Sequence, residues 1–264
     1  MRLASFNVLH GRSPDGAALP PGLLAEACAS LAADVLCLQE IDRAQSRSGG
    51  VDQTAEVADA MGAAAWRFEP ALIGEPGGRW RAAEDADAAA AAGGEAGYGV
   101  GLVSRVPVKA WHVLRLPAAK VRSPVFVPGR RAVILLDDEP RVGVAAELEG
   151  PDGPLLVATT HLSFVPGWNV VQLRRLTRWL AGLGRPAVLL GDLNLPAALP
   201  RWASGWLALA KVRTFPADKP SMQLDHALGR GRLPAVVAVD APHLPLSDHR
   251  ALVVDLASRG PVPH

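Results

Sequence analysis

Short runs of Val, Ile and Leu, broken by Gly, Pro, Asp or Asn, recur along most of the chain and predict strands. They fall at Leu3–Val8, Val35–Gln39, Val100–Ser104, Ala132–Leu136, Val142–Glu147, Leu155–Thr160, Ala187–Gly191, Leu224–Leu228, Val236–Val239 and Ala251–Leu256. Helical periodicity is confined to Gly22–Ala33, Asp52–Met61 and Gly167–Leu183; in the last, Leu173, Leu176, Trp179, Leu180 and Leu183 share one stripe. Strands outnumber helices, and the helices are inserted singly. That fits neither a strict βαβ alternation nor an all-β sandwich. It predicts an α+β fold in layers, with sheets packed face to face and helices outside. Residues 82–97 (AAEDADAAAAAGGEAG) are the one low-complexity stretch, expected as a mobile surface insertion. No composition shift or fixed-period repeat divides the chain, so residues 1–264 are expected to form one domain.

Composition narrows the choice of function. At 49% hydrophobic and 20% charged over 264 residues, the chain can bury a sizeable core and is not a disordered one. Its 27 basic and 26 acidic residues leave a formal charge of +1, which excludes a polyanion binder that relies on a global positive field. Cys28 and Cys37 are too few for a disulfide framework and fit no zinc spacing, so both are read as core residues. The longest uncharged span, 153–173, contains His161, two prolines, Asn169 and Gln172, a poor membrane segment. With no secretory-type apolar core at the N-terminus, a cytoplasmic protein without a stable membrane anchor is expected.

Candidate chemistry collects at strand ends. Asn7, Glu40, His161, Asp192 with Asn194, Asp225-His226 and Asp248-His249 each close or follow a strand-like run. Each has a plain structural reading alone: Asn7 as a turn residue, Glu40 as a solvated strand end or helix cap, His161 as a core histidine. In Asp192-Leu193-Asn194 the i and i+2 side chains face one side of an extended chain, so carboxylate and amide converge, although Gly-Asp-X-Asn also suits an Asx turn. Asp248 and His249 need a loop if they are to share a site. Together these residues form an oxygen-rich, thiolate-free set, which a hard cation such as Mg²⁺ prefers. Such a site, ringed by His, Asn and Asp, suits attack of water on a phosphoester.

The series SFNVLHG, LCLQEID, YGVGLVSR, TTHLSF, GDLN, LDH and SDHRAL, in that order, resembles the endonuclease/exonuclease/phosphatase superfamily. Its members include pancreatic-type deoxyribonucleases, abasic-site endonucleases, neutral sphingomyelinases and inositol polyphosphate phosphatases. The resemblance runs from Asn7 to His249 and implies a four-layer αββα sandwich of two mixed sheets, with the site at one edge where the sheets meet. It implies Glu40 as principal Mg²⁺ ligand, Mn²⁺ being able to substitute, with Asn7 and Asp248 beside the metal. Asp192 is similar to the residue that orients or deprotonates water, and Asn194 to an amide holding a phosphate oxygen or that water. His249 resembles a phosphate-contacting histidine, Asp225 the carboxylate that keeps it cationic, and His161 a second phosphate-binding or acid histidine. Tyr98 is similar to a phosphate-contacting tyrosine.

One departure stands out within that resemblance: Val100 occupies the position of a glutamate that pairs with the equivalent of His161, so His161 is expected to lack that partner. Alternation turns His226 away from the cleft, which implies a structural role. His10 and the Gly11-Arg12 that follow Asn7, Arg47, and Arg130-Arg131 are candidates to reach an anionic substrate. Trp168 is a candidate rim residue that stacks a base or ring; Trp179, Trp202 and Trp206 sit on helix-like patterns and are expected in the core. Trp66, Trp80 and Trp111 carry no readable signal. The function expected first is a Mg²⁺-dependent phosphodiesterase or nuclease acting through Asp192. The alternative is hydrolysis of a small phosphorylated molecule such as an inositol phosphate, sphingomyelin or a nucleotide. A silent binding module on the same fold would have lost Glu40 or Asp192, and both are present. No obligate protein partner is evident.

Overall fold

The computed structural model describes the chain except residues 90–94, 122, 128–131, 151–152 and 258–264; Arg130 and Arg131 therefore lie outside the described residues. Numbered along the chain, β1 (Arg2–Asn7), β2 (Val35–Arg43), β3 (Ala65–Gly74), β4 (Trp80–Ala82), β5 (Gly97–Ser104), β14 (Val236–Asp240) and β15 (Leu252–Leu256) form a seven-stranded sheet. Its order is β14-β15-β1-β2-β5-β3-β4. A six-stranded sheet comprises β6 (Val108–Leu116), β9 (Arg141–Gly150), β10 (Gly153–His161), β11 (Ala187–Asp192), β12 (Leu207–Ala208) and β13 (Asp225–Arg230). Its order is β12-β13-β11-β10-β9-β6, and β7 (Ser123–Val127) pairs separately with β8 (Ala132–Leu136). Both large sheets are mixed: β1 runs parallel to β2 and β10 parallel to β11, while their other pairings are antiparallel.

Alternation along the strands assigns the layers. Leu3 of β1, Val35 and Cys37 of β2, Val157 of β10, and Val188 and Leu190 of β11 pack together between the sheets. Their neighbours face outward. Ala4, Phe6, Leu36 and Leu38 meet Leu24, Cys28, Val57 and Met61 of α1 (Leu23–Ser30) and α2 (Gln53–Met61). On the opposite outer face Leu156, Ala158 and Leu189 meet Leu173, Leu176 and Leu180 of α4 (Trp168–Gly182). Gly143 of β9 permits this close packing, since a Cβ there would lie 2.5 Å from Leu176 Cδ1. The result is the four-layer αββα sandwich.

Several elements escape the hydrophobic pattern. β3 carries Arg67, Glu69 and Pro70 mid-strand; Glu69 is buried because Arg67 and Arg115 neutralise it, and Pro70 sits at a register shift against β5. The described part of 82–97 holds the end of β4 and the short α3 (Asp85–Ala89), tied down by Arg81 on Asp87 and by Arg43 on the Asp87 carbonyl. Trp202 corrects an expectation: it is 79% exposed. It lies on the six-residue α5 (Leu199–Ser204), which packs inward through Pro200 and Ala203 and so turns Trp202 to solvent. Trp206 is buried and Trp179 packs against the same outer core.

Candidate active site

The inward parity that builds the inter-sheet core also delivers polar side chains to one edge. Asn7 follows Leu3 and Ser5 on β1, His161 follows Val157 and Thr159 on β10, and Asp192 follows Val188 and Leu190 on β11. Register aligns them: Asn7 pairs with Gln39, His161 with Asp192, and Asp192 with Asp225. Glu40 is the exception, because strict alternation from Leu38 would send it outward. A β-bulge between Gln39 and Ile41, with Glu40 at φ 54°, turns it back toward the cleft. The Asn7 amide spans the two sheets: its Nδ2 donates to Glu40 Oε1 at 3.0 Å and to Asp192 Oδ2 at 3.1 Å. Gly191 adds a backbone constraint, since its φ is 151° and a Cβ would meet the Thr160 carbonyl at 2.1 Å.

Asp192 is buried, with Oδ1 accepting from the Asn194 backbone N–H at 2.9 Å. Its Oδ2 faces His161 Nε2 at 3.6 Å and His249 Nε2 at 3.7 Å. Burial pushes this carboxyl well above the usual range, against the attraction of the His249 charge. His249 Nδ1 donates to Asp225 Oδ2 at 2.8 Å, and Thr214 Oγ1 donates to the same oxygen at 2.5 Å. Burial disfavours the imidazolium, but the charges of Asp225 and Asp192 outweigh it and lift His249 to about 10. Phe215 flanks the ring at 4.8 Å between centroids. Asp248 is half-buried at the same place, and its charge raises both Glu40 and His249.

His161 is not left without a partner. Val100 packs with Val142 and Val144 between the sheets, and Arg141 of β9 instead places Nη1 3.2 Å from His161 Nδ1. Asn194 Nδ2, which donates to the Leu162 carbonyl, lies 3.1 Å from Nε2. Burial, Arg141 and His249 all push His161 well below the ordinary imidazole range, so the ring is held but neutral. Tyr98 is buried on β5 under the Arg47 guanidinium, 5.2 Å from its ring centroid; burial first and the Glu40 charge next raise its hydroxyl well above the phenol range. Trp168 begins α4 with its indole N–H on the Pro117 carbonyl at 3.1 Å; its neighbour Asn169 holds the Asn194 carbonyl. His226 faces away, bonded to the Leu195 carbonyl and near Gln223. Arg141, Thr214 and Phe215 went unnoticed in the sequence. Arg141 opens a strand antiparallel to β10, so its start lies at the edge where β10 ends, a signal that strand ends alone do not carry.

The donor set suits a hard divalent cation. Glu40, Asp192, Asp225 and Asp248 face one imidazolium, and the two cysteines are buried in the core away from this set. Asp192, Asp225 and His249 each offer a ligand atom within 4.8 Å of the others. His249 and Thr214 already occupy Asp225 Oδ2, however, and a protonated imidazole does not ligate. Asp225 Oδ1 is nonetheless buried without a hydrogen-bond partner, and Glu40, raised by burial, has Asn7 as its only hydrogen-bond donor among the described residues.

Residues 4–249 match the model of the Endonuclease/Exonuclease/phosphatase family. The chain belongs to this family. Membership places it among the metal-dependent phosphoesterases, and the motifs that carried the resemblance are those gathered at the sheet edge. No curated protein matches the sequence. Among solved structures, the endonuclease/exonuclease/phosphatase from Beutenbergia cavernae DSM 12333 is 20% identical, with a TM-score of 0.66 over 98% of this chain and 72% of that one. A mannosyl-6-phosphatase from Bacteroides thetaiotaomicron is 15% identical, TM-score 0.58, over 97% and 99%. Sphingomyelinase C from Streptomyces griseocarneus is 16% identical, TM-score 0.57, over 96% and 98%. No helix among the described residues is long and apolar enough to cross a membrane.

Proposed function

We propose that this endonuclease/exonuclease/phosphatase family member hydrolyses a compact phosphorylated molecule, with Asp192 as the base that takes a proton from water. The observation that carries this reading is the way Asp192 is held. One oxygen is fixed by the Asn194 backbone and the other is presented between two histidines beside Glu40. A carboxyl raised by burial toward neutrality is a stronger base than an ordinary aspartate. His249, cationic and anchored by Asp225, faces the same point and would stabilise charge on a phosphoryl oxygen. Asn194 Nδ2 and neutral His161 orient rather than protonate.

Glu40, with Asn7 and Asp248, would hold a divalent cation, Mg²⁺ first and Mn²⁺ as substitute, which neutralises phosphoryl charge and eases departure of the leaving oxygen. A compact substrate is favoured over the nuclease that the motifs suggested first. The formal charge is +1, and the candidate base-stacking residue, Trp168, has its indole N–H tied to Pro117. The neighbouring structures called mannosyl-6-phosphatase and sphingomyelinase agree with a small phosphoester. The test is a Mg²⁺-supported screen of sugar phosphates, inositol phosphates, nucleotides, sphingomyelin, RNA and plasmid DNA, with Asp192→Asn as control. Hydrolysis of a small phosphoester that is abolished by EDTA and by Asp192→Asn is expected. Turnover that survives either treatment would overturn the reading, and cleavage confined to DNA or RNA would restore the nuclease.

A further inference from the structure

Beside the acidic cluster lies a cavity of about 380 Å³ whose lining includes His10, Arg12 and Arg47 together with Leu19, Pro21 and Leu24. Two residues are common to cavity and cluster: His10 Nδ1 is 4.0 Å from Glu40 Oε2, and Arg47 lies over Tyr98. The volume is that of a small-molecule site. Residues 18–22 line it, and Arg12 ties the turn before them through Nη1 on the Gly16 carbonyl and the Arg12–Ala18 bridge.

The two arginines differ in charge balance. Arg47 makes a two-pronged pair with the buried Asp42 at 2.7 and 2.9 Å, so its charge is answered within the protein. Arg12 donates only to carbonyls, of Gly16 at 2.9 Å and of Arg47 at 3.1 Å, and has no carboxylate at ion-pair distance among the described residues. Asp15, three residues on, is taken by Ser13 and the Ala17 N–H. Glu56 also lines the cavity, but the influences on it are burial and Asp52, neither arginine. His10 is pushed down to about 4 by burial, Arg47 and Arg12, against Asp42. Of the two arginines that line the cavity, Arg12 is therefore the one without a counter-charge among the described residues.

We propose that this cavity receives a second phosphate of the substrate, held by Arg12, so that the molecule hydrolysed is a compact bisphosphate with one phosphoryl group at Asp192 and His249. The inference rests on the phosphoester reading above and adds to it the substrate class. The volume is that of a small molecule and too little for a duplex.

Binding can be read without turnover. Isothermal titration of the full chain in Mg²⁺ would compare an alkyl monophosphonate with α,ω-alkane bisphosphonates of increasing spacer length, whose P–C bonds are not hydrolysed. A phosphorothioate oligonucleotide supplies the nucleic-acid arm. One spacer length should bind about tenfold tighter than the monophosphonate or better, as a charge-assisted contact gives. Arg12→Gln should bring that ratio close to one, and Arg12→Lys should keep part of it. Equal affinities at every spacer length would overturn the proposal. So would a preference retained by Arg12→Gln, or equal losses in Gln and Lys, which would mark Arg12 as a purely structural anchor of Gly16. An oligonucleotide that binds tightest, with the same dependence on Arg12, would reassign the second phosphate to a nucleic acid. If the bisphosphonate preference holds while no phosphoester is hydrolysed, the reading of the reaction fails and the cavity stands.

Discussion

Asp225→Asn removes one charge from the buried pair beneath His249 and leaves the side chain's shape intact. In the wild type, burial works against the imidazolium, and Asp225, Asp192 and Asp248 together lift it from 6.5 to about 10. That rise corresponds to about 5 kcal/mol, net of the burial cost that the three carboxylates together overcome. Asp225 is the one in direct contact, at 2.8 Å, so its neutralisation should bring His249 back toward the ordinary imidazole range. Because the folded value lies above the unfolded one, this stabilisation is complete below pH 6.5. It is lost as pH rises through about 10.

Urea midpoints of the metal-free protein, measured from pH 6 to 10, should therefore fall with pH in the wild type and much less in Asp225→Asn. The raised carboxyl of Asp192 acts in a lower window, from its ordinary range toward neutrality, and is present in both proteins. NMR titration of the His249 ring supplies the site-specific value. Turnover should drop about 10²–10⁴-fold near neutral pH, the usual contribution of a positioned charged or acid–base group. A His249 that still titrates near 10 in the variant, or superimposable stability curves, would refute the assignment of Asp225 as its anchor.

Glu40→Gln should raise the thermal midpoint in EDTA, because it removes a half-buried, desolvated carboxylate met by one amide donor. It should also erase the Mg²⁺-induced rise that ligation gives the wild type, and an equal Mg²⁺ shift in both proteins would remove Glu40 from the cation site. His249→Ala should cost about 10²–10⁴-fold in kcat, while His161→Ala should be milder and appear partly in KM, since that ring is held neutral. Steady-state kinetics giving the opposite order would refute this. Arg141→Gln should raise the His161 pKa, read by NMR, because Arg141 is second only to burial in depressing it. No movement would mean that burial alone sets the neutral ring.

How far the residues announce this site depends on whether alternation alone aims them. Asn7, His161 and Asp192 continue the inward parity of hydrophobic neighbours, so strand pattern places them correctly. Glu40 does not, because the bulge that re-aims it leaves no mark in Leu-Gln-Glu-Ile. Its assignment came from the family resemblance. Arg141 was invisible for a topological reason: only the antiparallel order of β9 and β10 brings a strand start to the edge where other strands end. β3 was hidden by charges that the folded protein pairs internally. Trp202 was misplaced because a periodic stretch says nothing of what covers it.

The backbone at the site explains why local pattern fails there. Of the eight non-glycine residues at positive φ among the described residues, five are Leu9, His10, Glu40, Asn194 and Ser247, each at or beside the acidic cluster. Such conformations cost on the order of 1–3 kcal/mol apiece and persist only where surroundings over-determine them. Here the restraints come from outside each strained turn. Asn7 Oδ1 accepts from the Leu9 N–H, Ser247 Oγ donates to the Asn7 carbonyl, and Asn169 of α4 donates to the Asn194 carbonyl. Gln53 of α2, 4% exposed, serves two of them at once: its Oε1 accepts from the Asp42 N–H just past the bulge, and its Nε2 donates to the His10 carbonyl. One helix residue thus couples the turn that aims Glu40 to the turn that lines the adjoining cavity. The carboxylate proposed to hold the cation and the cavity proposed to take the rest of the substrate are consequently fixed relative to each other before any ligand arrives.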